Sequence, residues 1–299
     1  MTVSYKSRYF ATIAYADVFD FPLTYKEVLY WMIGKPRVHT KGRDLYWTKK
    51  IGSENYIGLK GRQHIISQRI ERKLVAKDKL ERANRVSRWY AWIPSVLLVG
   101  VTGGLAMENA KSEDDIDLFF ITTAHSIWIT RLLVTLITQL QGVRRLPDSA
   151  IVADSICLNM FMAVSTLTLA RKEQDLFSAH EVLQMIPLWQ RGSVYRKFLT
   201  ANRWAKLYLP TAWADKFHDS GSIVKYSRGS QFFSWLLRMF EPLARALQLW
   251  YMKKRRTTEV IERDVLRFHP RDARLWVKKK YALRLKKANV PLDRIFYRS

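Results

Sequence analysis

Two short apolar runs joined by a pair of glycines constrain this chain most. Val96–Val101 is built mainly from valine and leucine, and residues 118–121 repeat the same apolar character. Runs of this length and composition suit buried strands. Gly103 and Gly104 follow the first run almost at once, and glycine permits the sharp backbone turn that is needed there. Residues 95–121 therefore predict a strand, a tight turn, one helical turn, a polar loop and a second strand.

Two aspartates stand at the start of the second run. Asp115 and Asp117 alternate with apolar residues, so in a strand both side chains point to the same side. Neighbouring carboxylates repel each other unless a cation neutralises them, and Mg²⁺ prefers oxygen ligands. The turn at Gly103 and Gly104 lets a phosphate approach main-chain N–H groups. We therefore expect a site for Mg²⁺, or Mn²⁺, with a nucleoside triphosphate. Two residues of the polar loop are expected to join the nucleotide site: Lys111 and Ser112.

This pattern resembles the nucleotidyltransferase superfamily that includes DNA polymerase beta. In that superfamily a strand, a Gly-Gly or Gly-Ser turn and an Asp-x-Asp on a second strand follow one another. The resemblance covers residues 95–121 closely and the next helix and strand loosely. It implies transfer of a nucleoside monophosphate from an NTP to a hydroxyl acceptor, with Asp115 and Asp117 as catalytic metal ligands. The alternative is an ordinary α/β turn with a solvated acidic loop.

The resemblance also implies a third metal carboxylate on the next strand, which we predict within residues 151–164. Asp154 is the better candidate by charge, and Asn159 is the better candidate by position. Asp154 is taken as the third catalytic residue, although it can also cap the strand, and Asn159 can be a satisfied buried amide. Without either ligand a two-carboxylate site remains. Cys157, in the same run, is interpreted as a small core residue.

The charge of the chain points to a polyanionic partner. Lys and Arg number 51 against 26 Asp and Glu, a formal net charge of +25. Nucleic acid is the first expectation and an anionic membrane surface the second. A single cysteine excludes an internal disulfide. With no apolar signal region and no run long enough to span a bilayer, we expect a cytoplasmic protein.

The fold class expected is α/β (α+β), with a small mixed-sheet nucleotidyltransferase core and flanking regions. Thr24 and Glu27 form a capping-box pattern, and a basic segment and a strand follow. Residues 1–62 are therefore predicted to be winged-helix-like, binding nucleic acid through basic residues of 35–50 or only packing against the core. The remaining predicted units are a connecting helix at 63–94, the core at 95–170 and a helical, basic region at 171–299.

Three helices after the acid motif carry further expectations. Ser126 is predicted to cap a buried helix at Ile127–Leu140. The resemblance implies that this helical region holds the base or the acceptor, so His180 and Glu181 are candidates for substrate contact. The alternative is that Ser178 and Glu181 form a capping box, which by itself explains Glu181. Residues 232–251 are strongly apolar and predict either a helix packed on the bundle or an amphipathic helix at a membrane interface.

Two main functions therefore remain open from the sequence, and a third hypothesis is a membrane-surface protein that uses residues 232–256. The first is a Mg²⁺-dependent nucleotidyltransferase whose acceptor is unknown, with nucleic acid favoured by charge. The second is a non-catalytic nucleic-acid-binding protein with a degenerate nucleotidyltransferase core, because no obvious third carboxylate is present.

Overall fold

A computed structural model describes residues 5–34, 46–146, 152–218, 223–224, 228–253, 260–268 and 273–286. These residues form a mixed α/β protein with a three-stranded and a seven-stranded sheet. The strands are β1 Leu23–Thr24, β2 Tyr46–Ile51, β3 Glu54–Leu59, β4 Val96–Val101, β5 Ile116–Thr122, β6 Ile156–Ala163, β7 Ile186–Arg191, β8 Ile223–Val224, β9 Val260–Ile261 and β10 Val265–Arg267. The helices are α1 Tyr5–Asp17, α2 Tyr25–Tyr30, α3 Ile65–Tyr90, α4 Gly103–Ala106, α5 Ile127–Leu140, α6 Leu176–Gln184, α7 Val194–Ala201, α8 Ala205–Tyr208, α9 Pro210–His218, α10 Arg228–Arg238, α11 Glu241–Met252 and α12 Ala273–Lys286.

The N-terminal part combines α1 and α2 with a small antiparallel sheet in the order β1-β3-β2. The capping box of α2 is confirmed, because Thr24 accepts from Glu27 N and the Glu27 carboxylate accepts from Thr24 N. The basic residues predicted to contact phosphates lie mostly in 35–45, outside the described residues. Helix α3 then leads directly to β4, as predicted for the segment between residues 63 and 94.

The large sheet has the order β8-β7-β4-β5-β6-β10-β9. Strand β4 pairs antiparallel with β5, and β5 pairs parallel with β6. The core was expected within 95–170 and the region after it was expected to be helical, yet β7 pairs with β4 and β10 with β6. These strands are short and β7 contains Pro187, so their sequence signal is weak, and pairing with distant residues is what makes them strands.

The two faces of the large sheet are covered differently. On one face Leu118, Phe120 and Phe161 pack in a core with residues of α3 and α5, and α11 packs on α5. On the other face Phe119 and Met162 belong to a core that includes residues of α1, α6 and α12. Within the described ranges, no helix combines the length and the apolar character that crossing a bilayer requires.

Candidate active site

The glycine turn brings the backbone against the second aspartate. Gly103 has a φ of +68°, and a Cβ placed on it would lie 3.2 Å from Asp117 Oδ2. Both features favour glycine, because an L side chain there is strained and crowds the carboxylate. Thr102 N donates to Asp117 O at 3.1 Å, which fixes the turn to the start of β5. The turn and Asp117 therefore form one local unit.

Asp115 and Asp117 lie together with a thiol. One carboxylate oxygen from each aspartate and Cys157 Sγ lie within 4.8 Å of one another. The parallel pairing of β5 and β6 places Cys157 directly beside Asp117. Arg145 Nη1 donates to Asp115 Oδ2 at 2.5 Å and lies 3.7 Å from the sulfur. The structure thus brings the two predicted aspartates together and adds a guanidinium and a cysteine that the sequence did not predict for the site.

The surroundings of Asp117 do not fully compensate the negative charge of its carboxylate. Burial, followed by the nearby Asp115 carboxylate, raises the pKa of Asp117 to about 7. Its Oδ1 is buried and has no hydrogen-bond partner among the described residues. Burial and the same two carboxylates hold the pKa of Cys157 well above its ordinary value. A cation in contact with the cluster would relieve these penalties.

Asp154, the predicted third ligand, is engaged elsewhere. It lies in the turn before β6 with a φ of 57°, and its Oδ1 accepts from Lys79 Nζ at 2.6 Å. The same ammonium donates to Ser112 O and Asp114 O at 3.0 and 2.7 Å. Asp154 therefore belongs to a clamp that joins α3 to the two loops. Asn159, the alternative, is buried on β6 and lines the cavity described below.

The two polar-loop residues expected at the nucleotide lie apart from the cavity lining. Lys111 and Ser112 are exposed, and their side chains contact Glu113. The backbone of Lys111 donates to Asp114 Oδ2 at 2.9 Å, which tightens the loop on itself. In the structure these two residues shape the loop that leads to Asp115.

A cavity of about 1230 Å³ opens over this face of the large sheet. Gly103, Gly104 and Asp117 lie on its wall, together with residues of α1, α6, β6, β10 and α12. Much of the remaining wall is aromatic or aliphatic, as in most small-molecule sites. Its aromatic members include Tyr15, Phe19, Trp31, Phe119, Phe177 and Trp276.

Helix α6 brings a further acid to the cavity. Glu181 lines the cavity, and burial raises its pKa to about 7. The predicted Ser178–Glu181 capping box is wrong, because the N-cap is Asp175, whose Oδ1 accepts from Ser178 N at 2.9 Å. The helix begins one turn earlier than predicted, which frees Glu181 from the cap. Its charge contributes to the raised pKa of Asp117.

His180 is part of an aromatic stack. Its ring stacks on Tyr15 with the centroids 4.1 Å apart and lies 5.4 Å from Trp31. Burial lowers the pKa of His180 to about 3, so the ring is neutral at physiological pH. These contacts assign His180 a packing role on the cavity wall.

Positively charged side chains also line the cavity, and the one on the sheet lies two strands away from the strand of Asp117. Arg267 on β10 lies in register with Met160, which in turn lies in register with Phe119 on β5. Two strand spacings separate Arg267 from β5, a distance of roughly 10 Å. Arg274 and Lys280 on α12 line the same cavity. Arg267 and Arg274 approach the Glu173 carboxylate at 2.7 and 3.7 Å.

Sequence reasoning missed the site roles of Arg145, Cys157 and Lys79. Arg145 lies in a loop whose path is set by pairing with β6, and Lys79 looks like one of many basic residues on α3. Cys157 could have been recognised from the sequence. Cys157 and Asn159 stand two residues apart on β6, on either side of Leu158, so both polar side chains point to the same side of the strand. Comparison with protein-family models, curated proteins and solved structures finds no match to this chain.

Proposed function

We propose that this chain is a Mg²⁺-dependent nucleotidyltransferase of the superfamily that it resembles, moving a nucleoside monophosphate from an NTP to a hydroxyl acceptor. The observation that carries the proposal is the Asp115–Asp117 pair beside the glycine turn, with Asp117 on the wall of a large cavity. The pairing of β4, β5 and β6 supports it, because it puts the pair at the start of the central strand of a mixed sheet.

The donor set fits a divalent cation. Asp115 and Asp117 would hold Mg²⁺ or Mn²⁺ through carboxylate oxygens, the donors that these ions prefer. The unpartnered Oδ1 of Asp117 and its raised pKa support this fit. The ion would supply positive charge to the triphosphate. Cys157 is a softer neighbour than the carboxylate expected by resemblance, so the site as proposed has two carboxylates.

The residues of the chain itself then bind and orient the reactants. Gly103 and Gly104 begin α4, where the first N–H groups of a helix have no intrahelical acceptor and can donate to phosphate oxygens. The aromatic wall suits a base or another flat apolar group, because rings stack on π-faces.

Glu181 is the residue we assign to proton transfer. In the reaction the acceptor hydroxyl oxygen forms a bond to the α-phosphorus, the bond to pyrophosphate breaks, and the hydroxyl proton must leave. A carboxylate with a pKa near 7 accepts such a proton efficiently at neutral pH. Glu181 faces the same cavity as Asp117 and has that pKa.

For the acceptor we keep nucleic acid as the proposal, because the net charge of +25 favours a polyanion. Residues 1–62 are proposed to be winged-helix-like. The packing of α1 and α2 against β3 of the β2–β3 hairpin supports this proposal.

The proposal is tested with labelled NTPs, Mg²⁺ or Mn²⁺ and a panel of RNA, DNA and small hydroxyl acceptors. Asp117→Asn should reduce transfer by at least about 100-fold, since it removes a carboxylate that would hold the metal ion and with it the positive charge at the phosphates. Glu113→Gln is the matched control: it removes one charge from an exposed residue of the same acidic loop and should leave the rate unchanged. Equal rates for wild type and Asp117→Asn, or no transfer by the wild type to any acceptor, would contradict the proposal.

A non-catalytic nucleic-acid-binding protein is the second candidate. It is favoured by Arg145, which already neutralises Asp115, and by Cys157 in the position beside Asp117. In that case RNA or DNA should bind with a steep salt dependence and no nucleotide should be transferred. Binding that persists in Asp117→Asn without any turnover by the wild type would favour this second function.

A further inference from the structure

Helices α10 and α11 form an outer layer whose large apolar side chains face away from the protein. Trp235, Met239, Leu243 and Trp250 are 57%, 66%, 67% and 75% exposed, respectively. Further exposed apolar residues of the two helices and of the turn between them, which contains Met239, are Phe232, Phe233, Leu236, Phe240, Leu247 and Tyr251. Contiguous apolar surface of this kind on a protein marks a contact site. We call this surface the α10–α11 apolar face.

The inward side of the same helices mixes apolar, small and polar residues, with Met252 8% exposed and Leu249 half-buried against the core. Ser234 and Ala244 are each 2% exposed and Gln248 is 6% exposed. A helix on the surface of a water-soluble protein normally turns its large apolar residues inward and its polar residues outward. Here large apolar residues also cover the outward side, so the pattern of the sequence matches an apolar environment outside the protein.

Specific hydrogen bonds fix this orientation. The Glu241 carboxylate accepts from Trp128 N and Ile129 N at 3.0 and 2.9 Å, at the start of α5. Gln248 Nε2 donates to Trp128 O at 2.8 Å, and Gln248 Oε1 accepts from Arg131 at 2.5 Å. Rotating α11 to bury its tryptophan and leucines would break all of these bonds. The apolar face is therefore held outward by the fold.

Positive charge accompanies the apolar residues. Arg238, Arg245 and Lys253 are exposed on the two helices or directly after them, and Lys254, Arg255 and Arg256 continue the sequence. The whole chain carries a net charge of +25. Aromatic and aliphatic residues beside lysine and arginine are the combination that binds anionic lipid surfaces. A second copy of this chain is a poorer partner, because two surfaces with this charge repel each other.

We propose that the α10–α11 apolar face lies in the interface of an anionic membrane and holds the protein to it. The helices have 11 and 12 residues, which at 1.5 Å per residue gives each a length of roughly 17 Å. This is too short to span a hydrocarbon core, so the helices lie along the surface. The exposed Leu136 and Leu140 of α5, the helix against which α11 packs, extend the same apolar region.

The test is flotation of the full chain with vesicles of phosphatidylcholine alone and of phosphatidylcholine with phosphatidylglycerol. The wild type should float with the anionic vesicles, and high salt should weaken this binding. Leu247→Gln combined with Trp250→Gln leaves the charge unchanged and should weaken binding about tenfold or more, because apolar surface no longer enters the lipid. The matched control combines Leu74→Gln and Leu207→Gln, which alters residues that are 67% and 55% exposed on other helices.

Thermal melting of both double variants shows that they remain folded, which is expected for exposed positions. The proposal is overturned if the wild type does not float with anionic vesicles at low salt, or if the Leu247/Trp250 variant binds as tightly as wild type. It is also overturned if sedimentation shows a wild-type dimer that this variant converts to a monomer while vesicles remain unbound. That result would assign the face to a second copy.

Discussion

Glu181 carries a prediction that belongs to a single side chain. Burial raises its pKa from 4.5 to about 7, so between these values the folded protein binds a proton that the unfolded chain has lost. Stability of the metal-free protein should therefore fall as the pH rises from about 5 to 7 and level off above it, with a slope of up to about 1.4 kcal/mol per pH unit from this group.

Glu181→Gln should remove that contribution, leaving the similar one from Asp117, whose pKa is also raised to about 7. Urea unfolding at a series of pH values measures the slope. Glu71→Gln, at an exposed position on α3, is the control and should leave the slope as in the wild type. A Glu181→Gln protein with the wild-type slope would show that the Glu181 carboxyl is as well solvated in the folded state as in the unfolded chain.

The placement of Asp154 shows that the sequence pattern around one residue does not predict its distant partners. The period of two in a strand is local, so Asp115 and Asp117 were correctly predicted to share one side. The place of Asp154 depends on Lys79, far earlier in the chain, and on a turn with positive φ. Neither feature can be inferred from the charge of Asp154. The prediction of a metal ligand rested on that charge alone.

At the scale of whole elements, Lys79 connects helix α3 to the acidic loop. Its side chain is 3% exposed, and its ammonium donates to two loop carbonyls and to Asp154. Lys79→Met should lower the free energy of unfolding by about 1–3 kcal/mol, because the carbonyls lose their buried donor while Asp154 remains half exposed to water. Chemical denaturation measures the loss.

The Asp154→Asn variant distinguishes two roles of Asp154: a partner of Lys79 in the clamp and a metal ligand. Asparagine tolerates the positive φ and can still accept from Lys79, so stability should change by less than about 1 kcal/mol. In the clamp role nucleotide transfer should stay within a few-fold of wild type. A loss of transfer comparable to that of Asp117→Asn, in a protein of normal stability, would return Asp154 to the set of metal ligands.

The helix caps show how much of the element structure was predictable. The cap of α2 was predicted correctly, because Thr24 and Glu27 are neighbours in sequence. At α5 Ser126 is the N-cap residue, as predicted, but its side chain makes no capping bond, and Glu241 from α11 accepts from two N–H groups of the first turn instead. Strands β7 and β10 were missed for the same reason, since distant partners define them.

At the scale of the whole molecule, the buried Asp17 joins the two ends of the described chain. Its Oδ1 accepts from Arg62 Nε at 3.2 Å, beside β3, and its Oδ2 accepts from Arg284 Nε of α12 at 2.6 Å. Helices α1 and α12 are also walls of the cavity. A change at Asp17 therefore acts on both the fold and the shape of the site.

Asp17→Asn should lower the free energy of unfolding by about 1–3 kcal/mol, because two charge-assisted bonds to a buried carboxylate are lost. Asp20→Asn is the matched control: it also pairs with Arg62 but is 44% exposed, so its loss should stay below about 1 kcal/mol. Urea unfolding of the two variants gives the comparison. Equal losses would mean that Arg284 and burial add nothing to the Asp17 interaction.

The one cysteine of the chain makes the acid pair directly observable. Since Cys157 lies beside Asp117, burial and the two carboxylates raise the pKa of its thiol and make it slow to react with alkylating reagents. A cation that reaches the carboxylates should lower the pKa of the thiol and speed up its alkylation. Binding at this place can thus be followed as a reaction rate, before any substrate is known and without altering a single amino acid.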